Sequence, residues 1–230
     1  MKNISLHTYV SMFIVQVVIV NCVYALDKGE SILLYPTVRK NAMSVEETIK
    51  KRRSVRSYTG GKITLNDVSQ LLYYANGITH REPPFGGFRA APSAGATYPI
   101  ELYVVSNMID GLEDALYWYD VEKNTLEKKK KGNFVQAIAE RSYGQQFIAN
   151  AQVIILMTAV WQRTTGRYGE RGRRYVILDA GHIGENIYLE ATSLNLAPCA
   201  VGAFDDEQIN DFLDIDGQRE SCIYIMVVGK

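Results

Sequence analysis

The segment Arg52-Arg53-Ser54-Val55-Arg56-Ser57-Tyr58 places three guanidiniums and two serine hydroxyls in a short stretch of chain. Guanidiniums donate in bidentate pairs to oxyanions, so this composition suits a phosphate group. Arginines beyond a helix end also make ordinary surface ion pairs, and the pattern alone admits both readings. A second stretch, Ala91-Pro92-Ser93-Ala94-Gly95-Ala96-Thr97-Tyr98-Pro99, is small and turn-rich and runs directly into the apolar Ile100 to Val105. A loop of that kind lets a planar ligand lie close to the backbone.

Both segments need elements to hold them. Ser44 followed by Glu47 has capping-box spacing and predicts a helix that turns Val45, Thr48 and Ile49 inward and ends near Lys51 to Arg53. The arginines then sit at its exit. Thr64 and Asp67 cap a second helix with Leu65, Val68, Leu71, Leu72 and Ala75 on one face, stopping at Asn76-Gly77. Residues 78–91, with Pro83-Pro84 and Gly86-Gly87, read as a loop. A strand from Ile100 to Val105 follows, and then a hairpin of 116–120 and 125–127, with Lys128 to Lys131 as a solvated run at its end. A short helix is expected from Phe134 to Ser142. Val153 to Val160 is an apolar, β-branched run that suits a central strand buried on both faces. The Gly- and Arg-rich residues 163–174 read as a surface loop, although Arg171, Arg173 and Arg174 also invite a phosphate. Tyr175 to Leu194 is a helix with a nearly all-round apolar surface, in which Gly181 and Gly184 permit close approach. A helix from Asp205 to Leu213 and a strand from Ile223 to Val228 complete an α+β order without a βαβ rhythm.

With 230 residues, and Lys+Arg and Asp+Glu both at 25, the chain supports one sizeable domain and carries no global field that would favour nucleic acid. The N-terminus differs from the rest: Lys2 precedes an almost uncharged run, Tyr9 to Val23, that ends at Ala25 before charged residues. This is the order of a secretory signal peptide over residues 1–25, followed by an extended arm over 26–43 and a folded domain over 44–230. The expected location is extracytoplasmic. An uncleaved leader, or one lipidated at Cys22, would associate with a membrane. Cys199 and Cys222 read as buried, inert thiols.

The two opening segments together resemble the flavin-binding signatures of the nitroreductase superfamily, specifically its SagB/ThcOx-type dehydrogenase branch, over residues 44–230. The resemblance implies a nitroreductase-like fold, with a central mixed or antiparallel sheet flanked by helices, assembled as a homodimer around FMN. Matched position by position, Arg52, Arg53, Ser54 and Arg56 would contact the FMN phosphate and ribityl chain. Pro92, Ser93, Ala94 and Gly95 would lie along the flavin from the partner subunit; many relatives carry asparagine at the place of Ala96. The segment Pro198 to Ala203 matches the family stretch whose backbone lies near the flavin N5, which names Ala200, Val201 and Gly202; the segment by itself reads equally as a helix-to-strand turn. Lys230 stands where relatives place a further basic phosphate contact.

The implied activity is FMN-dependent transfer of hydride or electrons between a donor, NAD(P)H or another reduced substrate, and a small organic acceptor such as a nitroaromatic, quinone or azoline. The flavin carries the chemistry, so no catalytic side chain is expected. A non-catalytic exported flavin-binding protein is the alternative. His7, His80 and His182 are isolated from other ligand-type residues, so no metal site is expected, and His182 reads as a helix-packing residue. No nucleophile elbow or dinucleotide fingerprint occurs.

Overall fold

The computed structural model describes residues 31–36, 43–81 and 87–230. The expected leader, most of the arm and Pro83-Pro84 lie outside these residues.

Seven strands form one sheet among the described residues, in the order β1-β6-β5-β4-β7-β9-β8, with every neighbouring pair antiparallel. They are β1 (Ser31–Leu33), β4 (Ile100–Ser106), β5 (Ala115–Asp120), β6 (Thr125–Lys131), β7 (Val153–Val160), β8 (Ala197–Val201) and β9 (Glu220–Gly229). A separate two-stranded hairpin, β2 (Ile78–His80) and β3 (Phe88–Arg89), occupies part of the expected loop. The helices are α1 (Val45–Lys51), α2 (Leu65–Asn76), α3 (Val135–Arg141), α4 (Gln146–Ala149), α5 (Gln162–Tyr168), α6 (Arg171–Ser193) and α7 (Asp206–Leu213). None is long and apolar enough to cross a membrane.

The expected α+β architecture holds, and the sheet is antiparallel rather than mixed. Strand β7 explains why its sequence is a continuous apolar run. Val153, Ile155 and Met157 face a core shared with α2 and α6, while Ile154 and Leu156 face a second core shared with α3 and α7. Period-2 alternation therefore buries both sets. Helix α2 begins with a complete capping box, in which the Thr64 hydroxyl accepts from the Asp67 N–H and the Asp67 carboxylate accepts from the Thr64 N–H.

Several expectations give way to longer-range physics. Part of the arm is a strand, because Ser31 to Leu33 pair with Glu127 to Thr125. Lys128 to Lys131 belong to β6 and are not a free run: Lys128 and Lys131 both bind Glu113, and Lys130 binds Asp214. Hydrogen bonds from Lys128 and then Lys131 hold the Glu113 carboxyl down, to about 2. Residues 163–174 are mostly helical. Gly172 lets the start of α6 press on α5, since a Cβ there would lie 2.9 Å from the Thr165 Cα.

In α1 only Thr48 is buried; Val45 and Ile49 are exposed instead of turned inward. Helix α6 buries Val176, Ala180, Ile183, Ile187 and Ala191 but leaves Ile177 and Leu178 exposed at 53% and 52%. Its surface is thus one-sided within the chain. Gly184 does serve close approach, with a would-be Cβ 2.9 Å from the Tyr224 ring, whereas Gly181 faces open space and His182 is exposed.

Candidate functional site

Helix α1 ends at Lys51 and the chain continues without regular structure through the arginine segment. Two contacts fix that segment. The Val55 N–H donates to the Pro198 carbonyl of β8 at 2.8 Å, and the Ser54 Oγ lies 2.8 Å from the Tyr188 hydroxyl of α6. The same Tyr188 oxygen accepts from the Ala200 N–H at 2.7 Å. One phenol thus ties the arginine segment, α6 and β8 together, and the Arg52 guanidinium lies over its ring, 5.1 Å from the centroid.

The other arginines diverge. Arg56 extends over the Phe147 ring at 5.7 Å and borders a cleft of about 540 Å³ together with Ser57, Tyr58, Gly60 and Asn150. Arg53 turns back instead, donating to the Lys50 and Arg52 carbonyls at the end of α1. That use is ordinary helix C-terminal capping. The Lys230 carbonyl accepts from the Gly60 and Gly61 N–H groups, and its side chain runs beneath Gly61.

Electrostatically the segment is unbalanced. Among the described residues Arg52, Arg53, Arg56 and Lys230 have no carboxylate partner, and Arg52 and Arg56 have aromatic rings against them. Burial pushes the Cys199 thiol up, against the downward pull of Arg56, so it supplies no anion at neutral pH. The Tyr58 phenol is pushed up for the same reason, desolvation, and also stays neutral. Local positive charge without an internal counterion is the condition for binding an external oxyanion.

Strand β8 presents its outer edge to this region. The Pro198 carbonyl and Ala200 N–H point away from β9, because Val55 and Tyr188 take them. Carried one step past the strand, the alternation turns Gly202 outward, where it is exposed and a Cβ would meet nothing within 4 Å. Ala200 has no amide proton to spare. Val201 is buried and pairs with Ile225, and continued alternation would leave the Gly202 N–H as the outward backbone donor.

The loop 92–96 lies elsewhere on the same helix. The Ser93 hydroxyl donates to Asp179 Oδ2 at 2.6 Å, and the Ala94 N–H reaches the same carboxylate. Ser93 Oγ also accepts from the Tyr98 N–H at 2.9 Å. Burial raises the Asp179 pKa, opposed by these hydrogen bonds from Ser93 and Ala94. Gly95 adopts φ 60°, with its carbonyl accepting from Arg167; a Cβ there would come within 2.4 Å of the Tyr168 hydroxyl. Pro92, Gly95 and Ala96 are exposed at the loop tip. Asp179 and Tyr188 are nine positions apart on α6, about 13.5 Å along its axis. One chain therefore brings Arg52, Ser54, Arg56, Ala200 and Lys230 into one neighbourhood and keeps Pro92, Ser93, Ala94 and Gly95 in another.

Tyr188 and Asp179 are the residues that sequence reasoning did not single out. Asp179 carried a signal, being a carboxylate among apolar α6 positions and therefore in need of a partner. Tyr188 carried none, since it fits the apolar stripe.

A central seven-stranded antiparallel sheet flanked by helices is the architecture of the nitroreductase fold. The chain belongs to the nitroreductase family, whose profile matches residues 49–230. A nitroreductase-family protein of Methanocaldococcus jannaschii is 38% identical over 188 residues, covering 82% of this chain and 91% of that one. The trifolitoxin-processing protein TfxB of Rhizobium leguminosarum bv. trifolii is 30% identical over 74% of this chain, which spans only 48% of that protein. Among solved structures, a nitroreductase-family protein of Anabaena variabilis superposes with a TM-score of 0.75 at 28% identity, over 90% of this chain and 42% of that one.

The Tyr188 bridge makes a direct prediction. In Tyr188→Phe the Ala200 N–H loses its acceptor and Ser54 its partner, so stability should fall by about 1–2 kcal/mol with the fold retained. Urea denaturation together with hydrogen exchange checks this. Unchanged stability with unchanged protection at Ala200 and Val55 would remove Tyr188 from its linking role.

Proposed function

We propose that the protein is an FMN-dependent oxidoreductase that works as a homodimer. It transfers hydride or electrons from NAD(P)H or another reduced donor to a small organic acceptor. The observation that carries this reading is the group of cations at residues 52–56 that has no carboxylate partner among the described residues. Arg52 and Arg56 suit two faces of a phosphate dianion, and Ser54, held by Tyr188, adds a hydroxyl between them. Arg53, engaged with the helix end, contributes charge rather than a free donor fork. Lys230 adds a further cation. Bound FMN would supply the redox chemistry of hydride or electron transfer. The outward Gly202 N–H would favour negative charge on the reduced ring, a role that Ala200 cannot share while Tyr188 holds its amide.

The partner subunit enters through the spacing on α6. Pro92 to Gly95 lie too far along the helix to join the arginine segment of their own chain. A second copy placed against the exposed face of α6 would bring its loop to that segment. Ile177 and Leu178 on α6, and Val45 and Ile49 on α1, are apolar residues left uncovered in one chain, which favours such packing. The likeness to TfxB favours, within the family, the SagB/ThcOx-type branch and a peptide-borne acceptor or donor.

We further propose export, with cleavage after Ala25 and an extracytoplasmic mature domain, on the order of charged and apolar residues in the leader. Protein from an extracytoplasmic fraction should begin near Leu26 by N-terminal sequencing. Intact Met1 on protein confined to the cytoplasm would refute this.

Two further outcomes test the flavin reading. Purified protein should be yellow, and the Arg52→Ala, Arg56→Ala double variant should bind FMN more weakly by about 3 kcal/mol or more while keeping its circular dichroism. Stoichiometric FMN in that variant would show the segment to be misassigned. Ile177→Glu places a charge on the exposed face of α6 and should shift sedimentation from dimer to monomer with loss of FMN. A monomer that retains FMN would mean that each site is complete within one chain.

A further inference from the structure

A strongly charged cavity lies beyond the arginine segment, beside the far end of the 92–98 loop. It has a volume of about 310 Å³, and its walls include Arg89, Tyr98, Glu101, Trp118 and Asp120. Each carboxylate around it already has a cation. Glu101 binds Arg163 and also accepts from the Trp118 indole N–H at 3.0 Å. Asp120 binds Lys123 at 2.6 Å, and Glu122 lies 3.6 Å from Arg81. Among the described residues Arg89 is the surplus charge, since no carboxylate there forms an ion pair with it.

Its environment makes that surplus costly. The guanidinium lies over the Tyr98 ring, 4.6 Å from the centroid, and its Nη1 is buried with no hydrogen-bond partner. Desolvation weakens its hold on the proton, although Glu101 partly restores it. A partly buried guanidinium with one nitrogen both shielded from water and unbonded is costly for a fold to carry. Tyr98 is itself in an unfavourable backbone region at φ 45°, held there by its N–H bond to Ser93 and its carbonyl bond from Arg163. The stacked pair is therefore fixed in position beside the cavity.

We propose that this cavity binds a small singly charged carboxylate, with Arg89 as its counterion and the Tyr98 and Trp118 rings as its walls. A planar carboxylate matches the fork of a guanidinium whose face is already covered by a ring. One negative charge balances the one surplus cation. A phosphate dianion would bring a second negative charge with no cation left to balance it, beside Glu101, Asp120 and Glu122. The same carboxylate chemistry is offered by a free organic acid or by the C-terminus of a peptide. This site does not depend on the flavin reading, because none of its residues belongs to the 52–56 segment or to β8.

Calorimetric titration of the full-length protein, with whatever cofactor it carries, tests the assignment. Probes are benzoate, benzamide as its uncharged counterpart, inorganic phosphate, and trialanine with a free or an amidated C-terminus. Saturable binding of benzoate or of free trialanine, at least about tenfold tighter than its uncharged counterpart and tighter than phosphate, is expected. Which of the two binds identifies the source of the carboxylate. Arg89→Gln should weaken that binding at least about tenfold. Absence of saturable binding by either carboxylate, equal binding of charged and uncharged partners, or full affinity in a folded Arg89→Gln variant would overturn the proposal. Should Arg89→Gln fail to fold, the comparison of charged and uncharged probes on the unaltered chain still decides.

Discussion

The Tyr188 hydroxyl is the contact on which the rest of the candidate site depends. The arginine segment has no secondary structure of its own, and β8 is an edge strand with one side unpaired. Alone, either would be free to move. A phenol projecting from a long helix, accepting from Ala200 and meeting Ser54, converts them into one rigid unit at the cost of ordering a single side chain. The Val55 to Pro198 hydrogen bond then fixes the register of the segment along the strand.

Helix α6 thereby acts as a ruler. It holds the arginine segment at Tyr188 and the small-residue loop at Asp179, and the helical rise sets their separation. Both anchors use polar atoms in a mostly apolar stripe, a buried phenol and a buried carboxylate. Each is satisfied by the segment it positions, so the segments and the helix stabilise one another. The exposed side of the same helix, with Ile177 and Gly181, carries no such load and is open to packing by another molecule.

Local signals in the sequence were readable where the physics is local. The Thr64 capping box, the β7 run and the α7 helix start at Asp205 follow from neighbours a few residues apart. The misread segments depend on what the fold places, or does not place, beside them. Lys128 to Lys131 look like a solvated run until Glu113 and Asp214 are brought beside them. Residues 163–174 look like a loop because glycine disfavours helix, yet Gly172 is where two helices touch. Val45 and Ile49 have inward spacing, but periodicity gives only that a face is apolar and not what covers it. The arginine segment and the 92–96 loop were both identifiable by composition. Their separation on one helix was not, because it depends on which residues of α6 turn toward which loop. Arg89, beside the small-residue loop, gave no sign of being the unbalanced charge, since that depends on how Glu101, Asp120 and Glu122 are already engaged.

The hydrogen bonds from Gly60 and Gly61 to the Lys230 carbonyl join opposite ends of the folded unit in sequence. Contacts of such separation form late, because the intervening chain must first be brought to near-native compactness. The sheet and both cores can assemble while residues 57–61 are still loose. A nascent chain that has made β4 to β7 but not β9 lacks the strand that joins β7 to β8 and the residues it adds to both cores, so the Lys230 contacts with Gly60 and Gly61 come only with that closing strand. Fixing residues 57–61 is therefore coupled to completion of the sheet and waits on the last strand of the chain.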